Sequence, residues 1–358
     1  MADTEKVKAA SAHLFNEVPP QPPKKPGQLP IEKIKQFFEE GYMVIEDFFT
    51  KEELDPCVEA INALVDDLAE DLYKNGKIKN KYKEYGFKQR LTKLNKEFPG
   101  ANIVLIKKYG VLPQPLKDLW TNERLLNVVE QLIGPEIGGH PVWNIRVKCP
   151  QNEATVVPWH QDSAYLDTDS YNVLQPTAWI PFLDANANNG CMQLARYGHK
   201  SGKIATHTCC DGQTWYVTLS EEEMEKTLGV DLKKDIITVP VPYGGLLMFS
   251  NVLPHQSLPN ISDEIRWSID LRWQRPDHPY GFYGVKDGIL MRTSADPDYK
   301  IDWTKFDGVN RNKAHIIEEH DDYDTTVTGP WMDRWNLVNT NRHTAAYKKD
   351  DADSWSRV

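Results

Sequence analysis

The sequence predicts a mainly β domain with flanking helices, an antiparallel sandwich or barrel of the jelly-roll kind. Past Pro141 the chain breaks into short β-type runs: VWNIRVKC, ATVVPWHQD, PTAWIPFLDA, GCMQLA, DIITVPV, GLLMFS and IRWSIDLRWQR. Gly, Pro, Asn and Asp separate them, as in sheets of many short strands. They read as strands without intervening helices, which favours antiparallel closure over alternating β and α units. Before residue 140 the apolar spacing is helical instead.

Taken in order, 1–30 reads as a flexible tail and a proline-rich linker, since EVPPQPPKKPGQLP has extended chemistry and no core of its own. IEKIKQFFEEGY then predicts a short helix and MVIEDFF a strand. Thr50 and Glu53 form a Thr-x-x-Glu capping box. Leu54, Val58, Ile61, Leu64, Val65, Leu68 and Leu72 repeat with helical period behind it. Pro56 moves the expected start toward Asp55, with proline at the first helical position. PLKDLWTNERLLNVVEQLIG (115–134) reads as one helix ending at Gly134. The domain is expected over 31–276, helical first and a barrel from about 140, with 277–358 as an extension packed on it.

The 358 residues suffice for a sizeable core, and no apolar run approaches the roughly 20 residues that span a bilayer. A net charge of -10 argues against nucleic acid or anionic membrane as the partner. Five cysteines, an odd number, make no disulfide framework and read as free thiols in a reducing compartment. Adjacent Cys209 and Cys210 are poorly placed to share a metal. The expected location is cytoplasmic, or peroxisomal if KVKAASAHL (6–14) acts as a targeting pattern. Oligomeric state is left open.

One stretch reverses the acidic balance. Residues 74–96 carry eight lysines and one arginine against Glu84 alone. They read as a solvated mobile loop, or as a basic lid that attracts an anionic small-molecule substrate.

The chemistry concentrates in PWHQDSAY. On a strand, His160 and Asp162 point the same way, presenting one nitrogen and one oxygen to one point. Alone the spacing is a weak signal and more often marks an ordinary polar pair. His255, in LLMFSNVLPHQSLPN, offers a third ligand from a distant strand. Two histidines and a carboxylate form the facial triad of non-haem iron oxygenases, which leaves three coordination positions open. A dicarboxylate cosubstrate such as 2-oxoglutarate would need a fixed cation, and a forked arginine suits it. Arg266 lies on the next strand and shares a face with Ser268 and Asp270, while Trp267, Ile269 and Leu271 face away. Ser257 can add a hydroxyl to the same carboxylate.

Together HQD (160–162), NNGCMQLARYGHKSG (188–202), PHQS (254–257) and Arg266 resemble the phytanoyl-CoA dioxygenase family, over 31–276. The resemblance implies a double-stranded β-helix (jelly roll, cupin-like) and an Fe(II)- and 2-oxoglutarate-dependent dioxygenase using O2, with ascorbate as a supporting reductant. It implies iron on His160, Asp162 and His255, and 2-oxoglutarate on Arg266 and Ser257. Trp179 matches a cosubstrate-lining position, and Lys107 or Lys108 is the nearest match to a lysine there. Halogenating relatives lack the ligand carboxylate, so Asp162 favours oxygen transfer or desaturation. The chain after 276 follows no part of the acyl-CoA hydroxylase.

The expected reaction oxidises an aliphatic carbon and releases succinate and CO2. A peroxisomal acyl-CoA 2-hydroxylase is one alternative. A non-catalytic or O2-independent jelly-roll metal protein is another: the O2-independent enzyme would have no use for Arg266 and Ser257, and a non-catalytic module would usually have lost a ligand, whereas none is missing. His199 reads as a turn stabiliser. His140, His207, His278, His315, His320 and His343 read as surface or packing residues, and Trp159 and Trp179 as flanking the site. EEHDDYD (318–324) reads as a solvated loop.

Overall fold

A computed structural model describes residues 12–108, 110–311 and 323–349. Helices α1 (Ile31–Glu40), α2 (Lys51–Lys74), α3 (Gly86–Glu97), α4 (Ala101–Lys108), α5 (Gln114–Trp120) and α6 (Glu123–Ile133) come first, with strand β1 (Tyr42–Ile45) between α1 and α2. The later strands are β2 (Ile137–Gly139), β3 (Asn144–Lys148), β4 (Thr177–Pro181), β5 (Met192–Ala195), β6 (Thr208–Cys209), β7 (Val217–Thr218), β8 (Ile236–Val239), β9 (Leu246–Phe249), β10 (His255–Ser257), β11 (Arg266–Gln274), β12 (Ile289–Arg292) and β13 (Asn336–Leu337). Seven strands form one sheet in the order β1-β9-β4-β11-β2-β12, with β3 also on β11. Strands β10-β5-β8 make a second sheet and β13-β6-β7 a small third. The two larger sheets are antiparallel throughout. This is the expected jelly roll.

Strand β11 organises it. Trp267, Ile269, Leu271 and Trp273 join the large core shared with the helices, where Ile61, Leu68 and Leu91 are also buried. Arg266, Asp270 and Arg272 turn the other way and line the interior cavity. Trp267 stacks on Phe87 at 5.2 Å and donates Nε1–H to the Phe87 carbonyl at 2.8 Å. A separate core of Trp179, Met192, Leu194, Leu247 and Phe249 joins the two larger sheets.

Local chemistry explains the helix limits. Ile34, Phe37 and Phe38 form the buried face of α1, which ends at left-handed Gly41 (φ 88°). A Cβ there would come within 2.6 Å of His199 Nδ1 and Leu253 Cδ1, so any other residue is both strained and blocked. His199 bonds the Phe38 carbonyl at 3.0 Å, a structural role as expected.

Several expectations are corrected. Helix α2 starts at Lys51, five residues before Pro56, which sits inside it. Its first turn is anchored by Glu53, which takes the Thr50 N–H at 2.9 Å and also holds Arg124 and Asn122. The helix read over 115–134 is two, because Asn122 accepts the N–H groups of Arg124 and Leu125 and restarts the chain as an N-cap. Residues 74–96 are no open loop: they contain α3, with Leu91 and Leu94 buried. Their cations meet acids of α2, Arg90 and Lys83 at Asp66 and Lys81 and Lys74 at Glu70. The proline-rich segment is strapped to α6 rather than free. Lys25 pairs with Glu130 at 2.6 Å, and Gln131 accepts the Leu29 N–H at 2.8 Å. Cys209 and Cys210 form a disulfide between neighbours, and Cys57, Cys149 and Cys191 are free and buried.

Residues beyond 276 add β12 to the main sheet and β13 to β6. His315, His320 and residues 6–11 lie outside the described residues, as does EEHDDYD up to 322. Among the described residues no helix is long and apolar enough to cross a membrane.

Replacing Trp267 by Ala removes the plate between β11 and α3 and should cost about 3–5 kcal/mol. Urea denaturation checks this, and an unchanged midpoint would show that the helical layer does not depend on that contact.

Candidate active site

The run ATVVPWHQD is not a strand. A 3-10 turn at Glu153–Thr155 takes in its first two residues, and a second, Asp162–Tyr165, begins at the carboxylate itself. What aims His160 is an isolated bridge to His255, with paired N–H to carbonyl bonds of 3.0 and 2.9 Å. Short prolines and turns forbid a longer ladder here. The two imidazole centroids lie 4.1 Å apart.

Each ring has one nitrogen on the backbone. His160 Nδ1 lies 2.8 Å from the Pro158 carbonyl and His255 Nδ1 2.9 Å from that of Leu253. A carbonyl only accepts, so both Nδ1 atoms carry the proton and both Nε2 atoms keep a lone pair. Those lone-pair nitrogens stand 3.6 and 3.7 Å from Asp162 Oδ1. All three donor atoms fall within 4.8 Å of one another, and all three residues are buried. Two neutral nitrogens and one carboxylate oxygen around a single point suit a divalent first-row metal.

The second carboxylate oxygen is fully engaged. Asp162 Oδ2 accepts from Arg272 Nη2 at 2.8 Å, Arg272 Nε at 3.0 Å and Thr177 Oγ1 at 3.1 Å. Burial raises the carboxyl, but the Arg272 guanidinium outweighs it and holds Asp162 well below the usual carboxylate range. Burial, with His160 beside it, pushes His255 down to about 3. The site is therefore charged on oxygen and neutral on nitrogen, as ligation requires.

Arg266 stands at the start of β11, buried, with Nη1 donating to Ser268 Oγ at 2.6 Å and its guanidinium over the Trp179 ring at 5.1 Å. Its Nε has no partner among the described residues. An orphaned donor on a buried cation beside a metal-binding cluster fits a cosubstrate carboxylate. Ser257 and Trp179 line the same cavity. The two expected lysines do not meet Arg266. Lys108 pairs with Asp71 on α2, and Lys107 is tied to Asp324 at 3.0 Å and the Thr326 carbonyl at 2.6 Å. Lys148 is the lysine opposite Arg266, in register across β3 and β11. It donates to the Leu258 carbonyl at 2.8 Å, and burial with Arg266 and Arg146 nearby pushes it down to about 6.

Arg272 and Lys148 were both within reach of alternation. The face read as Arg266, Ser268 and Asp270 continues to Arg272, and VWNIRVKC places Asn144, Arg146 and Lys148 on one side. Arg146 pairs with Asp270 at 2.7 Å. Arg311, which also lines the cavity, comes from a stretch with no recognisable pattern.

A jelly roll that converges two imidazoles, one braced carboxylate and a buried arginine is the architecture of Fe(II)- and 2-oxoglutarate-dependent oxygenases. The family model for phytanoyl-CoA dioxygenase (PhyH) matches residues 37–268, about two thirds of the chain. The chain belongs to that family and is an Fe(II)- and 2-oxoglutarate-dependent oxygenase.

Among curated relatives, 1-deoxypentalenic acid 11-beta-hydroxylase of Streptomyces arenae is 27% identical over 197 residues, 50% of this chain and 68% of that protein. Phytanoyl-CoA dioxygenase of Arabidopsis thaliana is 26% identical over 155 residues, 43% of this chain and 50% of that protein. In structure, EctD from S. alaskensis, determined with 2-oxoglutarate and 5-hydroxyectoine, superposes with a TM-score of 0.50 at 15% identity, covering 80% of this chain and 89% of that one. That likeness concerns the fold.

The braced carboxylate yields one expectation. Arg272→Gln releases Asp162 Oδ2 and should weaken Fe(II) binding about 10- to 100-fold, read by anaerobic titration. Unaltered affinity would mean that Thr177 suffices.

Acid yields another. His140, His207 and His255 are all pushed down to about 3, chiefly by burial, so between there and the ordinary imidazole value of 6.5 the unfolded chain binds more protons. Stability of the metal-free protein should then fall as pH drops below about 6.5. A urea midpoint that stays flat from pH 7 to 5 would contradict this.

Proposed function

We propose that the chain hydroxylates an aliphatic carbon of a compact, anionic and largely apolar small molecule, with His160, Asp162 and His255 as the iron ligands. The observation that carries this is the division of labour on Asp162, one oxygen held by Arg272 and Thr177 and the other turned to both free imidazole nitrogens. Iron held there supplies the O2 chemistry, coupled to decarboxylation of 2-oxoglutarate to succinate and CO2.

The protein's own part is placement. Arg266, with Ser257 beside it, takes the far carboxylate of 2-oxoglutarate, and Trp179 under the guanidinium fixes its plane. Lys148 is held near neutrality, so Arg266 does not compete with a second full charge for the same carboxylate. The buried walls keep bulk water from the reacting carbon.

The charge expected of the substrate has a different origin from the basic stretch over 74–96, where Lys81, Lys83 and Arg90 pair with acids of α2 and Lys88 with Glu264. Among the described lining residues, Arg146, Arg266, Arg272 and Arg311 face Asp162 and Asp270, while Lys107 has Asp324. Fe(II) and 2-oxoglutarate offset one another, so the loaded wall still favours an anion. The cavity holds about 300 Å³ and suits a compact molecule more than a whole acyl-CoA. A relative named for hydroxylating a carboxylic acid supports the same reading.

Anaerobic addition of Fe(II) and then 2-oxoglutarate should produce the weak visible charge-transfer band of an iron-bound keto acid. Asp162→Ala should abolish it, and Arg266→Ala should require roughly 10- to 100-fold more 2-oxoglutarate, the scale of a charged hydrogen bond. Bound iron without a band in the wild type would sink this reading.

A further inference from the structure

We infer that Arg311 is the anchor for the substrate's anionic group, and that this group is a carboxylate on an apolar scaffold. The inference rests on the oxygenase reading for its context, but its own support is separate. Of the four guanidiniums that line the cavity, two have carboxylate partners. Arg146 holds Asp270 and Arg272 holds Asp162. Arg266 and Arg311 have none among the described residues, and in each the Nε is buried without a partner. One of these vacancies matches the cosubstrate. The other is left for a second anion.

Arg311 is only 8% exposed, and its one hydrogen bond among the described residues, Nη1 to the Pro141 carbonyl, is a long 3.3 Å. Its guanidinium carbon lies over the Trp143 ring, 3.9 Å from the centroid, and the buried Trp143 Nε1 also lacks an acceptor among the described residues. Burial and the neighbouring Arg272 and Arg146 press its pKa down to about 9, so the residue is cationic at neutral pH yet poorly compensated. A buried guanidinium held over a ring, with its donors unmatched, is prepared for a planar acceptor.

Position separates it from the cosubstrate. Trp143 precedes β3 and Lys148 ends it, facing Arg266. Five extended residues put Trp143, beneath Arg311, and Lys148, opposite Arg266, roughly 16 Å apart along the backbone. Arg311 stands at the Arg272 end, on the Asp162 side of the metal cluster, and Arg266 at the other. A substrate held by its carboxylate at Arg311 therefore lays its apolar body toward the iron, between Trp143, Val142 and Phe282 of the lining.

The test is calorimetric titration of the Fe(II)- and 2-oxoglutarate-loaded protein under nitrogen, so that Arg266 is already occupied. The probes are decanoate and adamantane-1-carboxylate, their neutral carboxamides, and decanoyl-CoA. The wild type should bind at least one carboxylate roughly tenfold or more tighter than its amide, the scale of a charged hydrogen bond. Arg311→Gln should bring acid and amide within about twofold, and Arg311→Lys should retain part of the preference. The charge-transfer band of Arg311→Gln reports that the variant is folded and its cosubstrate site intact. A preference that survives in Arg311→Gln, or no preference in the wild type, overturns the inference. Tighter binding of decanoyl-CoA than of either acid, lost in Arg311→Gln, would overturn the carboxylate in favour of phosphate. If the wild type shows no band, the oxygenase reading fails by itself, and the same titrations on the metal-free protein still decide Arg311.

Discussion

The grip of Arg272 on Asp162 is the interaction around which the molecule is arranged. A carboxylate buried with two imidazoles needs a cation, or it would take up a proton and cease to be a ligand. The cation must itself be buried and rigid, which a strand walled by the helical layer provides. The outer tryptophans of β11 and the inner arginines are thus one design. The apolar face fixes the strand, and the strand fixes the charges.

That arrangement makes the interior strongly polar for a protein core. Burying charge is costly unless each group is matched. Asp162 and Asp270 answer two of the guanidiniums, and Lys148 avoids the problem by shedding its proton readily. The remaining mismatch is concentrated at two places, Arg266 and Arg311, at opposite ends of β3. Unmatched charge in a folded interior is unfavourable in the empty protein and favourable once the right anions arrive, so selectivity and residual frustration are here the same property.

Much of this was legible in the residues. Alternation on β11 and the order His160, Asp162, His255 and Arg266 gave the site, and short punctuated strands gave the sheet. The reasons for failure elsewhere are physical. His160 and Asp162 converge through a bridge and a turn, not through strand pleating, so the right pair was found by the wrong geometry. Lys81, Lys88 and Arg90 looked unopposed because their acids, Glu70, Glu264 and Asp66, lie on other elements and meet them only after folding. Asn122 was read as helix interior because local polarity is a weak signal within a long apolar period. Alternation places Lys148 on the inner side of β3, but its pairing with Arg266 is a cross-strand register that one strand does not show. Arg311 belongs to irregular chain, where periodicity offers no guide.

The family match ends at residue 268, while Phe282, Arg311, Thr326 and Trp331 all line the cavity. Four of the five residues proposed for iron and 2-oxoglutarate, His160, Asp162, His255 and Ser257, lie in HQD and PHQS, and the fifth, Arg266, just within the match. The residues proposed for the reaction and Arg311, the residue proposed to anchor the substrate, therefore follow one another along one chain. Such a layout lets the trailing length drift, or be exchanged, without disturbing electron flow at the metal. Diversity of substrate within one chemistry is then what this architecture makes easiest to inherit.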